Sequence, residues 1–126
     1  MPRTSGPGIC CATLATEPLI HGDWVRPGTH VDLVGGYTPT MREADDALIK
    51  KARVFADTRD GALAEAGDLV MPIERGVLAA GGVVDLHGLC RGDDPGRRAP
   101  GDITVFKSVG AALEDFAAAI LVYEST

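Results

Sequence analysis

Residues Thr29–Lys51, THVDLVGGYTPTMREADDALIKK, decide how the chain is read. Val31, Leu33 and Val34 form the apolar run of a buried strand. Gly35 and Gly36 follow, and let the backbone turn sharply or approach a ligand closely. Pro39 stiffens the loop. Thr40 and Glu43 match the Thr-x-x-Glu capping box that opens a helix. Met41, Ala44, Leu48 and Ala52 then share one face near the helical period. Lys50 and Lys51 suit the negative end of its dipole. The pattern predicts a strand over His30–Gly35 and a helix over Met41–Lys51. A strand feeding a helix through a Gly-rich turn is the unit of an α/β sheet, and ligands gather at such strand ends.

Working outward, apolar runs predict further strands over Ile9–Thr13, Arg53–Asp57 and Ile103–Phe106. Asp60–Ala66 reads as a short helix closed by Gly67, and Val83–Arg91 as another ending at Gly92. Leu69–Ile73 reads as a brief strand or extended link, and Gly92–Gly101 as a polar loop. Ser108 is a natural N-cap for a final helix. In that helix Val109, Leu113, Phe116, Ile120 and Tyr123 recur at spacings of four, three, four and three, a stripe that seeks a partner surface. Residues 1–8 are Gly/Pro-rich and read as a flexible leader. The expected fold is α/β: a partial Rossmann-like, doubly wound, mainly parallel sheet of about four strands with flanking helices.

The bulk numbers set bounds. A chain of 126 residues has room for one domain with one core. Aromatic residues are only 5%, so Val, Leu, Ile and Ala must fill that core. Twelve basic residues against 18 acidic ones give a net charge of −6, which argues against nucleic-acid binding. No apolar run approaches the roughly 18 residues that span a bilayer. The N-terminus lacks the pattern of a secretory signal, and three cysteines without framework spacing suggest reduced thiols, so a cytoplasmic protein is expected.

Local chemistry is sparse. Gly6-Pro7-Gly8 precedes the first strand, whereas a dinucleotide fingerprint follows it. His87 and Cys90 alone do not make a zinc site. Cys10 and Cys11 face opposite ways along a strand and are expected as buried packing. Asp45-Asp46 reads as a solvated helix face, and Arg91-Gly92-Asp93 as chance. Arg97-Arg98 is a modest candidate for a phosphate or carboxylate contact. Lys107 and Ser108 stand where a strand becomes a helix, whose N–H groups take an anion unless Ser108 merely caps them. No nucleophile–base arrangement can be assembled.

Several segments together resemble the ornithine cyclodeaminase/mu-crystallin family. They are Thr13–Pro18 (TLATEP), His30–Gly35 (HVDLVG), Met41-Arg42-Glu43 through Asp46, Asp57-Thr58-Arg59, Ala62–Asp68, and Thr104–Gly110 (TVFKSVG) with Glu114-Asp115 after it. The resemblance covers about residues 9–125. It implies a longer NAD(P)-dependent parent, of which residues 9–126 are the C-terminal part of a Rossmann-type domain ending in a long packing helix. By the same resemblance, Thr13, Leu14 and Ala15 line the adenine–ribose side of an NAD or NADP site. Val34, Gly35 and Tyr37 lie near the nicotinamide, and Lys107 and Ser108 close over it. The phosphate loop and the substrate-binding arginine and lysine would lie upstream. Cyclodeaminases of the family carry a catalytic Asp where Tyr37 stands, so the implied parent is a ketimine-reductase-like oxidoreductase acting on a small imine or amino acid, with the cyclising lyase as the alternative.

The isolated chain is then expected to be nearly inactive. Two rival readings remain: a non-enzymatic fragment that pairs with itself or a partner through the C-terminal stripe, and a decayed reading frame. A homodimer is the expected assembly.

Overall fold

The computed structural model describes residues 7–125. Five parallel strands form one sheet in the order β1-β2-β5-β3-β4. The strands are β1 (Gly8–Cys11), β2 (His30–Leu33), β3 (Arg53–Ala56), β4 (Val84–Asp85) and β5 (Thr104–Lys107). The helices are α1 (Asp46–Lys51), α2 (Arg59–Glu65), α3 (Gly67–Glu74), α4 (Leu86–Arg91) and α5 (Ala112–Glu124). Val31 pairs in register with Ile9 on one side and Val105 on the other, and Val105 pairs with Val54. Val31, Leu33, Val54 and Val105 are buried with Leu48, Ile49, Ala62, Leu69 and Val83, so aliphatic residues fill the core as the composition requires. Because every pairing is parallel, all five carboxyl ends lie along one edge.

The stretch after β2 departs from the sequence reading. Its helix begins at Asp46, with Asp45 as the N-cap accepting from Leu48 N at 2.9 Å. Residues 42–45 are extended instead, because the Ala15–Ile20 segment pairs with them. Arg42 N donates to Ala15 O at 2.8 Å, Leu19 N and Ile20 N both donate to Glu43 O at 2.9 Å, and Asp45 N donates to Ile20 O at 3.1 Å. A backbone engaged in this way cannot wind into a helical turn. Asp45-Asp46 is therefore no idle polar face: Asp45 also accepts from Gly22 N, and Asp46 pairs with Arg42 and Arg75.

Leu69–Ile73 lies within helix α3, not in a strand, an ambiguity inherent in short apolar runs. Gly67 opens that helix because the chain passes too close for a side chain: a Cβ there would lie 2.1 Å from Met41 O. The expected helix over Val83–Arg91 divides into the two-residue β4 and α4. Asp85 caps α4 by accepting from Gly88 N at 2.8 Å, and Gly92 closes it with φ +78°. Cys10 is exposed, because β1 is an edge strand with a single neighbour, while Cys11 is half-buried and packs against the core.

The final helix starts at Ala112, after Ala111, so Ser108 does not cap it. All of α5 is exposed, including Leu113 at 65% and Phe116 at 62%. The expected leader, residues 1–8, lies largely outside the described residues; Gly8 belongs to β1. Among the described residues no helix is long and apolar enough to cross a membrane.

Candidate functional site

The carboxyl edge of the sheet gathers the run-outs of β1, β2, β3 and β5. Hydrogen bonds continue past the strands: Val34 N donates to Cys11 O at 2.8 Å, Ser108 N to Leu33 O at 3.0 Å, and Asp57 N to Lys107 O at 3.3 Å. Thr13, Val34, Gly35, Lys107 and Ser108 are brought into one neighbourhood by this alignment.

Glu43 ties the first two run-outs together. Its side chain is fully buried. One carboxylate oxygen accepts from Thr13 N at 2.6 Å and Thr13 Oγ1 at 2.9 Å; the other accepts from Gly35 N at 2.9 Å. Burial would raise its pKa, but these donors outweigh burial and hold the carboxyl below its ordinary value. The neighbouring Cys11 thiol is pushed up to about 11 by burial and then by Glu43, so it stays a thiol. A Cβ on Gly35 would stand 2.0 Å from Thr13 O and 2.3 Å from Glu43 Oε1. Glycine at 35 is a packing requirement of this clamp.

Asp57 does the equivalent at the other side. It is buried at the end of β3, and Oδ1 accepts from Thr58 N at 2.7 Å. Oδ2 accepts from Ser108 Oγ at 3.1 Å, Val109 N at 2.9 Å and Gly110 N at 2.7 Å. The N–H groups after β5 that looked ready for a ligand anion thus already hold the chain's own carboxylate.

A third carboxylate lies beneath. Asp68 in α3 is fully buried and accepts from Glu43 N at 2.8 Å and Ala44 N at 2.9 Å through Oδ1. Burial raises its pKa despite those bonds. Its Oδ2 lies 3.6 Å from the Nζ of Lys107, which is itself fully buried and donates to Leu33 O at 3.2 Å.

The remaining sequence candidates divide clearly. Leu14, Val34 and Tyr37 are exposed at 68%, 43% and 51%, giving the edge apolar faces beside polar backbone. Thr13 Oγ1 also accepts from Ala15 N at 3.2 Å, and Ala15 O is taken by Arg42. Arg97 is no anion site: its guanidinium donates to Gly28 O at 3.1 Å and Thr104 Oγ1 at 3.2 Å, at the amino end of the sheet. His87 and Cys90 are exposed, and no metal-ligating cluster exists among the described residues. A surface cleft of about 560 Å³ is lined by residues that include Thr16, Glu17, Arg42, Asp46, Met71 and Arg75. It shares none of the strand-end candidates, and its two arginines, Arg42 and Arg75, are both paired with Asp46.

Glu43, Asp57 and Asp68 escaped the sequence reading as site residues. For Glu43 the only local signal was a capping box, and its true donors lie 30 and eight residues away. Leu14, Val34 and Tyr37 stand exposed beside a turn whose Gly35 is packed against Thr13 and Glu43.

Comparison with known proteins follows the same lines. Residues 8–126 match the sequence model of the ornithine cyclodeaminase/mu-crystallin family. The chain is 47% identical over 105 residues to the Delta(1)-pyrroline-2-carboxylate reductase of Paracoccus denitrificans, across 82% of this chain and 33% of that protein. It is 41% identical over 117 residues to the ketimine reductase mu-crystallin of Rattus norvegicus, across 93% and 35%. Its fold matches the Thermococcus litoralis Delta(1)-pyrroline-2-carboxylate reductase, solved in complex with NADH and L-proline, with a TM-score of 0.87 and 38% identity over 93% of this chain and 36% of that one. The chain thus spans about a third of the length of these relatives.

The Glu43 clamp makes a stability prediction. Glu43→Gln turns an amide donor toward N–H groups that need an acceptor, and should cost roughly 1–3 kcal/mol at pH 7 in urea unfolding. A lowered folded pKa means the carboxylate's contribution is fully present above the ordinary 4.5 and is lost as pH falls through the folded value. The gap between wild type and variant should therefore narrow below pH 4.5. Equal urea midpoints at pH 7 would contradict the clamp.

Proposed function

The chain belongs to the ornithine cyclodeaminase/mu-crystallin family, and from that premise we propose that it supplies the nicotinamide-facing part of an NAD(P) site to an imine or amino-acid oxidoreductase. The observation that carries the reading is the clamp of Thr13 and Gly35 on one buried carboxylate. It holds two run-outs side by side at the carboxyl edge, where α/β sheets bind ligands. Residues 9–126 then form the C-terminal part of a Rossmann-type domain.

In this reading Thr13, Leu14 and Ala15 line the adenosine side, and Val34, Gly35 and Tyr37 line the nicotinamide. Ser108 and Lys107 bound the site from β5. Ser108 does so in a turn pinned on Asp57, and Lys107 with its side chain engaged below. The cofactor, when bound, supplies the hydride chemistry, and the protein sets orientation and excludes water. Glu43, Asp57 and Asp68 serve internal partners, so the acid–base work of the reaction falls to other groups.

The substrate class is a small cyclic or open-chain imine, or the amino acid it becomes. Relatives named pyrroline-2-carboxylate reductase and ketimine reductase support reduction over the cyclising lyase. Tyr37 points the same way, because it offers no carboxylate at that position. Three free cysteines favour a reducing compartment such as the cytoplasm.

The exposed apolar residues of α5 support a second, compatible reading, in which two copies associate through that helix. Sedimentation should then give twice the 13.1 kDa chain mass, and a monomer at all concentrations would contradict it. For the nucleotide site, amide NMR during an NADH titration should move Thr13, Gly35 and Tyr37. The expected Kd is about 1 mM or weaker, since no glycine-rich turn follows β1. Shifts confined to other surfaces, or none, would overturn the assignment.

A further inference from the structure

Lysine is almost never fully buried unless it is paired, yet Lys107 at the ligand edge has no exposed surface. Its ammonium joins two elements. It donates to Leu33 O at 3.2 Å, at the end of β2, and faces Asp68 Oδ2 at 3.6 Å, at the start of α3. The other Asp68 oxygen takes the N–H groups of Glu43 and Ala44. The Gly35–Gly36 turn rests directly on this pair. A Cβ on Gly36 would lie 2.7 Å from Asp68 Oδ2 and 3.6 Å from Lys107 Nζ.

Stability does not explain the arrangement. A buried ion pair gains little over apolar packing of the same volume. The geometry here is also not one of tight hydrogen bonding, because Asp68 Oδ2 is a buried side-chain oxygen without a hydrogen bond among the described residues. What the pair does, and a methionine–leucine contact would not, is hold the turn's backbone at a fixed height by charge.

We propose that Lys107 and Asp68 are a positioning pair that sets the Gly35–Gly36 turn against the nicotinamide end of the cofactor, acting from beneath and never touching it. The inference rests on the dinucleotide-site reading and deepens it. It gives Lys107 a role distinct from that of a substrate-contacting or covalent lysine. The adenosine side is held by Glu43 on Thr13, and Asp68 reaches Glu43 only through its other oxygen, so removing the charges while keeping that oxygen confines the effect to one half of the ligand.

The test is the double variant Lys107→Met/Asp68→Asn in this chain, which removes both charges and leaves an oxygen for the Glu43 and Ala44 N–H groups. Circular dichroism and the urea midpoint should be unchanged or improved. The Gly35 and Gly36 amide resonances should move before any ligand is added. NADH affinity should fall by roughly fivefold or more, the low end of coupling between linked sites, with AMP affinity unchanged. Should the double variant not fold, Lys107→Gln/Asp68→Asn, which also removes both charges, is read in the same way. Equal loss for NADH and AMP, or unmoved Gly35 and Gly36 amides, would overturn the pair. A wild-type chain that binds no NADH counts against the dinucleotide reading alone; the two glycine amides still decide whether the pair sets the turn.

Discussion

A single buried carboxylate organises the ligand edge of this protein. Glu43 contributes nothing to the apolar core, yet it receives donors two residues beyond β1 and two residues beyond β2. Without it, three half-buried donors would lose their acceptor, each at a cost in stability. The demand propagates outward. Gly35 has to be glycine because the clamp leaves no room, and residues 42–45 have to be extended to deliver Glu43 to its place. Helix α1 then begins only at Asp46, where Asp45 can cap it.

Asp57 and Asp68 apply the same principle at neighbouring strand ends. Each takes backbone N–H groups that the sheet no longer pairs, and each fixes a turn at the carboxyl edge. Three acidic side chains that a composition table would place on the surface thus form a polar frame under the site. Its upper surface is left to Leu14, Val34 and Tyr37, which are exposed and uncharged.

Much of the fold was legible. The β-branched runs around Val31, Val54 and Val105 announced their strands, and strand–helix alternation announced the parallel sheet. Gly92 announced its helix end. Positions near the site were legible as places, since glycines and strand ends mark them, but not as interactions. The Thr40–Glu43 capping box is locally indistinguishable from a real one. Only the Ala15–Ile20 segment, distant in sequence, takes that backbone away. The turn after β5 reads as an anion site until Asp57, 51 residues earlier, is brought beside it. A two-residue strand such as β4 carries too little pattern to be seen at all.

The arrangement at this edge depends on Glu43 being ionised while its side chain is fully buried. The direct measurement is the acid titration of its side-chain carboxyl carbon by NMR in the folded chain. The clamp predicts that Glu43 remains a carboxylate as pH falls past its ordinary 4.5 and titrates below that value in the folded chain. A carboxyl that titrates at or above 4.5 in the folded protein would contradict it.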